Sequence, residues 1–277
     1  MIEDFIADET LRRGIEQSIL LGGLVVARLI PIVQMVPYMG GEAVPQTVKM
    51  GLAIALAIVV YPSIWLQGGA LMLPDSTFEI AMLLVKEVFV GVTIGFVCAL
   101  SFEALRMAGQ IIDNTAGLTD ATTMVPQLPD RVSPTSNFLY QLAIVVFFAI
   151  GGHRVFLWAL ARSFELVPPH SFIDTGDGLA QLASLVLELT AEAIMLGVLM
   201  AFPVLASIML TNLFLALVNK SAPQINVFFL GMPLKAVLAS AIVLLSLGVM
   251  MDQFADRALD DLQIAVEVME ALGGGDE

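Results

Sequence analysis

Chemistry in proteins rests on a few residue types in usable patterns, and this chain offers few of them. It has two histidines, His153 and His170, and one cysteine, Cys98. A protein zinc site draws three or four close-set His, Cys or carboxylate ligands, a set these residues do not supply. The patterns GxGxxG, Walker A, GxSxG and HExxH do not occur. Cys98 sits in the apolar run VCAL and reads as a buried, inert thiol with no disulfide partner. His153, in IGGHRVF, reads as a helix-end or packed histidine. What remains is charge in apolar surroundings. Glu188 and Glu192 stand one helical turn apart and could relay protons or couple an ion. They also precede the uncharged run Ala193–Val218, so the plainer reading is an interfacial helix end. Arg28, Lys86-Glu87, His153-Arg154 and Lys235 interrupt other apolar stretches. A charge at mid-bilayer depth costs about 2.5–3.5 kcal/mol on insertion scales, so such groups face protein or water, or snorkel to the interface. Burial against protein is the reading for Arg28 and Lys235, and both readings stay open for the other two. No cofactor and no metal are expected, and the chain is read as a non-enzyme.

The elements that must position these groups are apolar helices. Hydrophobic residues make up 58% of the 277 and charged residues 14%, with a mean hydropathy of +0.90. Soluble domains are about 45–50% apolar, so one core cannot hide this surface and a bilayer or a large protein surface must cover it. The expected class is all-α, a polytopic membrane protein. Six stretches stand out at 15–39, 48–74, 80–105, 138–161, 182–218 and 225–251, and only Met50–Pro74 and Ala193–Val218 run without an internal charge. Prolines 31, 37, 62, 203 and 233 are expected to kink or break them. The start, MIEDFIADET, is acidic, so insertion is expected through the internal segments. Lysines and arginines divide evenly between the two sides of a six-span arrangement, so the positive-inside rule sets no orientation.

Three further patterns bear on organisation. Glu87, Gly91, Gly95, Ala99 and Glu103 recur every four residues and form a stripe that contains a GxxxG, which suits a close helix–helix seam. Residues 108–137 are rich in Thr, Ser, Pro and Gly and read as a long linker, a length that is often functional. Residues 252–277 carry eight acids against Arg257, half of the net charge of −14. There Phe254, Ala258, Leu262, Ala265, Met269 and Leu272 fall at helical spacing, so this acidic tail reads as an amphipathic helix after a membrane domain spanning 1–251. Nucleic acid and anionic lipid headgroups are poor partners for this acidic tail surface.

Four blocks together resemble one family. The first is Pro37-Tyr38-Met39-Gly40-Gly41-Glu42-Ala43-Val44-Pro45 with Lys49 and Tyr61-Pro62 following. The second is Lys86-Glu87 through Gly91 and Gly95 to Glu103-Ala104 and Ala108-Gly109-Gln110-Ile111-Ile112-Asp113. The third runs from Asn137-Phe138 to Gly151-Gly152-His153 and Ser163-Phe164-Glu165-Leu166-Val167-Pro168. The fourth is Phe202-Pro203, Asn219-Lys220, Ala222-Pro223-Gln224-Ile225-Asn226-Val227-Phe228 and Gly231-Met232-Pro233-Leu234-Lys235. In this order they resemble the FliR/SctT family of flagellar and injectisome type III export-apparatus proteins. APQINVF with GMPLK downstream is the most specific block. The wording leans towards the injectisome branch, while the stretch MVPQLPDRVSP departs from the Asp-Pro step of flagellar members.

The resemblance implies a fold of bent helical hairpins in a staggered ring with FliP/SctR-like and FliQ/SctS-like subunits. It leaves a FliB/SctU-like switch subunit open. It implies a structural and gating role in an export pore of the bacterial inner membrane, raised above the bilayer plane, with unfolded secreted proteins as substrates and lipid as a neighbour. It places pore gating on Gly109, Gln110, Asp113, Gly117, Asp120 and Thr122. Subunit contacts fall on Arg28, Pro45, Lys49, Pro223, Asn226, Pro233 and Lys235. The competing reading is a stand-alone secondary transporter that couples ions through Glu188, Glu192 or Lys235, which calls for an internal repeat with paired broken helices.

Overall fold

A computed structural model describes residues 9–41, 44–66, 74, 76–118, 133–172, 177–224 and 226–273. Among them are seven α-helices and no strand. They are α1 (Glu9–Met35), α2 (Gln46–Leu66), α3 (Thr77–Ala116), α4 (Pro134–Ala149), α5 (Gly152–Leu166), α6 (Asp177–Ser221) and α7 (Val227–Gly273), with a short 3-10 turn at Pro37–Met39 after α1. Five of them, α1, α2, α3, α6 and α7, are long and apolar enough to cross a membrane, and α4 with α5 forms a sixth candidate broken between them. The chain is an all-α, multi-pass membrane protein.

Two compact units share these helices. One gathers Met1–Ala99, His153–Leu187 and Asp260–Glu277; the other gathers Leu100–Gly152 and Glu188–Leu259. In the first, α1 buries Leu21, Leu24, Leu29 and Ile32, α3 buries Leu83 and Val90, and α5 buries Phe156 and Phe164. In the second, Phe102 of α3 makes edge contacts with Phe147 of α4 and Phe254 of α7, at centroid distances of 5.5 and 5.0 Å. Such T-shaped pairs suit the ring quadrupole and add to the area they bury. Outside these cores the helices present large apolar side chains to their surroundings. Ile58, Val59 and Leu66 of α2, Phe202 and Leu210 of α6, and Leu244 and Leu245 of α7 are all exposed. A water-soluble monomer rarely carries such faces; they suit lipid or neighbouring subunits.

Several expectations about the elements are corrected. The stretch 108–137 is not one linker. α3 continues through Ala108–Ala116, and α4 opens at Pro134. Thr115 Oγ1 turns back to the Ile111 carbonyl (2.6 Å), so its hydroxyl is satisfied inside the helix. α3 stops at Gly117, which sits at φ +77 and donates its N–H to the Asn114 carbonyl, the left-handed step that commonly ends a helix. Prolines 31, 62, 203 and 233 do not end their helices either. Each removes one ladder bond from a helix of 21 to 47 residues, and the remaining ladder holds. The acidic tail is not a separate element, since residues 252–273 are the last turns of α7. The fourth apolar stretch divides at Gly151, whose φ of +80 only glycine adopts without strain.

Candidate functional site

The charges that interrupt α1 and α3 meet in one buried network. Arg28 and Glu87 have no exposed surface. Arg28 grips Glu87 bidentately, Nε to Oε2 at 2.6 Å and Nη2 to Oε1 at 2.9 Å. Its Nη1 donates to the Ser163 carbonyl (2.8 Å) and Oγ (3.4 Å), and Nη2 donates also to the Val167 carbonyl (2.6 Å). All five guanidinium N–H groups therefore have an acceptor. The Phe164 ring stacks 4.2 Å from the guanidinium carbon. Beside it, Lys86 Nζ lies 2.6 Å from Glu87 Oε1 and donates to the carbonyls of Pro168 (2.8 Å), Pro169 (3.3 Å) and Ser171 (3.0 Å).

Two cations thus share one carboxylate, and carbonyl dipoles supply the rest. The carbonyls at and just past the C-terminus of α5 carry partial negative charge and have lone pairs to spare, even at Ser163, whose carbonyl also accepts Val167 N (3.1 Å). Arg28 caps that end, and Lys86 does the same for the turn that follows. Taking these ions out of water is expensive, and only a network this completely hydrogen-bonded offsets it. His170, in the same turn and outside the spans, has its pKa lowered by burial and then by the neighbouring Lys86 charge.

Glycine brings the backbones close enough for this. A Cβ on Gly91 would stand 2.3 Å from the Arg28 carbonyl oxygen, and one on Gly95 would stand 3.2 Å from Met35 Cβ and 3.3 Å from Ile32 Cα. The stripe Glu87–Gly91–Gly95 thus runs along α1, and Ala99 is buried. Glu103 is not part of this face. Its side chain is half exposed and pairs with Arg106 on its own helix (3.7 Å). A four-residue step overshoots one helical turn by about 40°, so after four steps the stripe has rotated by about 160°.

Two further close crossings lie along α3, neither foreseen from the sequence. A Cβ on Gly197 of α6 would meet the Ala104 carbonyl at 2.7 Å, and one on Gly109 would meet Ser136 Cα of α4 at 2.3 Å. Gly109 is a packing glycine in a helix, not a loop hinge. Next to it, Asp113 is fully buried, and its Oδ2 accepts from Ser133 Oγ (2.5 Å), Thr135 N (3.0 Å) and Ser136 N (3.3 Å). Asp113 therefore caps the N-terminus of α4 from a neighbouring helix, since Ser133 makes no cap of its own. Ser136 Oγ closes the crossing on the Arg106 carbonyl (2.8 Å). Gln110 points outward on α3, and Asp120 and Thr122 lie outside the described residues.

The expected contact residues separate into two sets. Arg28 has no surface to offer a partner, and Lys49 is buried with its alkyl stem against Gly40, where a Cβ would stand 3.0 Å from its Cε. Both are intrachain packing residues. Pro45, Pro223, Asn226 and Pro233 are exposed. Pro45 accepts the first backbone bonds of α2, from Val48 and Lys49, and Asn226 Oδ1 accepts from Phe229 N at the start of α7 (3.5 Å). Lys235 is half-buried, and the expected acid or carbonyl partner is absent among the described residues; it borders a cleft of about 270 Å³ with Asn212 and Asn219. Glu192 is tied to Arg257 at 2.6 Å, which makes it an interhelical strut.

Residues 19–260 match the model of the bacterial export proteins, family 1. The chain belongs to this family. It is 31% identical over 225 residues to Yop proteins translocation protein T of Yersinia pestis, covering 80% of this chain and 84% of that one. Flagellar biosynthetic protein FliR of Caulobacter vibrioides is 26% identical over 247 residues, covering 89% and 96%. Secretion system apparatus protein SsaT of Salmonella typhimurium is 30% identical over 201 residues, covering 72% and 75%. The export family joins flagellar and translocation members, as the four blocks of sequence imply, and its members are structural export-apparatus components rather than enzymes.

Proposed function

We propose that this chain is a structural and gating subunit of a type III secretion export apparatus in the bacterial inner membrane. It forms part of the pore through which unfolded proteins pass, beside FliP/SctR-like and FliQ/SctS-like subunits. The observation that carries the reading is the family match across residues 19–260. The exposed apolar faces of α2, α6 and α7 support it, because they are wider than one chain needs and offer surface for neighbouring subunits. Helix length supports a raised, staggered arrangement. α3, α6 and α7, at 40, 45 and 47 residues, are about 60–70 Å long against a hydrocarbon core of about 30 Å.

In this reading Gly109 and Asp113 fix the stem from which the gating segment leaves, and Gly117 opens it. Pro45, Pro223, Asn226 and Pro233 offer exposed contacts. The transporter alternative, which would couple through Glu188, Glu192 or Lys235, is less well supported at Glu192, which pairs with Arg257. The deciding experiment is affinity purification of the full chain from its native membrane. Recovery with two smaller hydrophobic proteins in fixed ratio supports the subunit reading. A monodisperse single chain that transports a solute in proteoliposomes refutes it.

A further inference from the structure

Near the start of α7 the structure holds an ammonium group that has no counter-charge among the described residues. Lys235 is half-buried, and among the described residues it has no hydrogen-bond acceptor and no acid. Arg28 and Lys86, by contrast, are fully provided for: Arg28 has an acceptor for every N–H, and Lys86 has one carboxylate and three carbonyls; among the described residues buried Lys49 shares the lack of an acceptor, with its stem packed on Gly40.

Lys235 borders a cleft of about 270 Å³ whose other polar groups, among the described residues, are the side-chain amides of Asn212 and Asn219 and the backbone at Gly117. The two asparagines are seven residues apart on α6, two turns along one face. Among the described residues no acid lines the cleft. An ammonium with flanking amide donors is a recognition set for an anionic oxygen cluster, and it repels cations. The floor is apolar (Leu215, Val227, Met232) and the helices around it carry exposed Leu213, Phe214, Leu217, Leu234 and Val237. The arrangement offers one anion seat beside a lipid-compatible apolar surface.

We infer that this cleft binds the phosphate head group of an anionic membrane phospholipid, with its acyl chains along the exposed faces of α6 and α7. The inference is independent of the pore reading and needs only that the chain lies in a membrane. Charge complementarity selects the occupant, because the seat is cationic and lies next to surfaces already suited to acyl chains. A juxtamembrane basic group near anionic lipid contributes enough that its loss weakens binding about fivefold.

The test uses the full-length chain in detergent micelles, stripped of lipid and titrated with phosphatidylglycerol, followed by native mass spectrometry and by thermal unfolding. Wild type should retain phosphatidylglycerol and unfold at a higher temperature when it is present. Lys235→Met should weaken retention about fivefold while unfolding at the wild-type temperature without lipid. Asn212→Leu with Asn219→Leu should weaken it as well, and Lys220→Met, outside the cleft lining, should not. Inorganic phosphate separates the head group from the whole lipid: stabilisation by phosphate alone, equal to that by phosphatidylglycerol, would overturn the lipid assignment. Equal retention of phosphatidylcholine, or unchanged phosphatidylglycerol binding by Lys235→Met, would overturn it too. So would a zero-length carbodiimide cross-link from Lys235 to a carboxylate of another chain in native membranes, which would make the occupant a protein.

Discussion

Replacing Gly91 by alanine adds one methyl group where α3 and α1 touch. The new Cβ would lie 2.3 Å from the Arg28 carbonyl oxygen, against an ordinary contact of 3.4–4 Å. That oxygen belongs to a helix backbone and cannot rotate aside, so the two axes must part by about 1 Å. The Arg28–Glu87 bonds, now 2.6 and 2.9 Å, would stretch beyond hydrogen-bonding range. Overpacking alone costs about 1–3 kcal/mol, and loosening a buried ion pair adds to it. A loss of about 2–4 kcal/mol lowers the unfolding temperature by roughly 5–10 °C for a chain of this size.

The molecule carries its own reporter for this experiment. Cys98 is the only cysteine, is 4% exposed and lies on α3. Its reaction with a thiol-specific fluorescent maleimide during heating therefore follows the opening of that helix. Gly23→Ala serves as the control, because a Cβ there meets nothing within 4 Å and alanine is the better helix former by about 1 kcal/mol. Gly91→Ala should label several degrees earlier than wild type, and Gly23→Ala no earlier. Equal labelling temperatures for wild type and Gly91→Ala would refute the close-contact reasoning.

Other outcomes follow from the same geometry. Glu87→Gln leaves Arg28 and Lys86 buried without an anion and should cost about 3–5 kcal/mol in the same labelling assay; adding Arg28→Met should recover part of that loss, and no recovery would show that the two are not coupled. Asp113→Ala removes the acceptor for the Thr135 and Ser136 amides and should cost about 1–2 kcal/mol, read as faster hydrogen exchange at those two amides with α1 unaffected. His170 has a folded pKa below its ordinary value, through burial and then the Lys86 charge, so the unfolded chain binds more protons in acid. Stability should fall as pH drops below about 6.5, and His170→Gln should show a smaller fall between pH 7 and 5 than wild type; identical pH profiles would remove His170 from the account.

Much of the fold was legible because it is helical and apolar. Hydropathy located the candidate spans, and the period through Phe254, Ala258, Leu262, Ala265, Met269 and Leu272 marked the residues that α7 buries. The same period places Asp261 on that buried face, three residues after Ala258 and four before Ala265, and it is indeed 1% exposed. Composition misled at Ala108–Ala116. Thr, Asn and Gly read as loop in isolation, yet Asp113 capping α4 and Gly109 seating Ser136 hold the segment as helix through contacts more than twenty residues away. Proline misled in the same way, since local propensity yields to a long packed helix. The seam was legible over Glu87, Gly91 and Gly95, where one partner helix lies alongside, and failed at Glu103 because a four-residue step drifts around the helix. Gly197 had no readable signal beyond being the one glycine in a run of bulky apolar residues.

The ion network also bears on how such a chain assembles. Apolar side chains specify that helices pack but discriminate poorly among registers, since lipid is as apolar as a neighbouring helix. Directional bonds discriminate better. Gly91 admits the Arg28 backbone, and one turn earlier Glu87 receives the Arg28 side chain; a slip of one residue along either helix would break both at once. The acceptors arrive late in the chain, Glu87 59 residues after Arg28, and the Ser163 and Val167 carbonyls 135 and 139 residues after it. Until then Arg28 is costly in hydrocarbon, which favours holding α1 at the interface until α3 and α5 arrive. The network therefore sets both the register of α1 on α3 and the stage of synthesis at which that register can form.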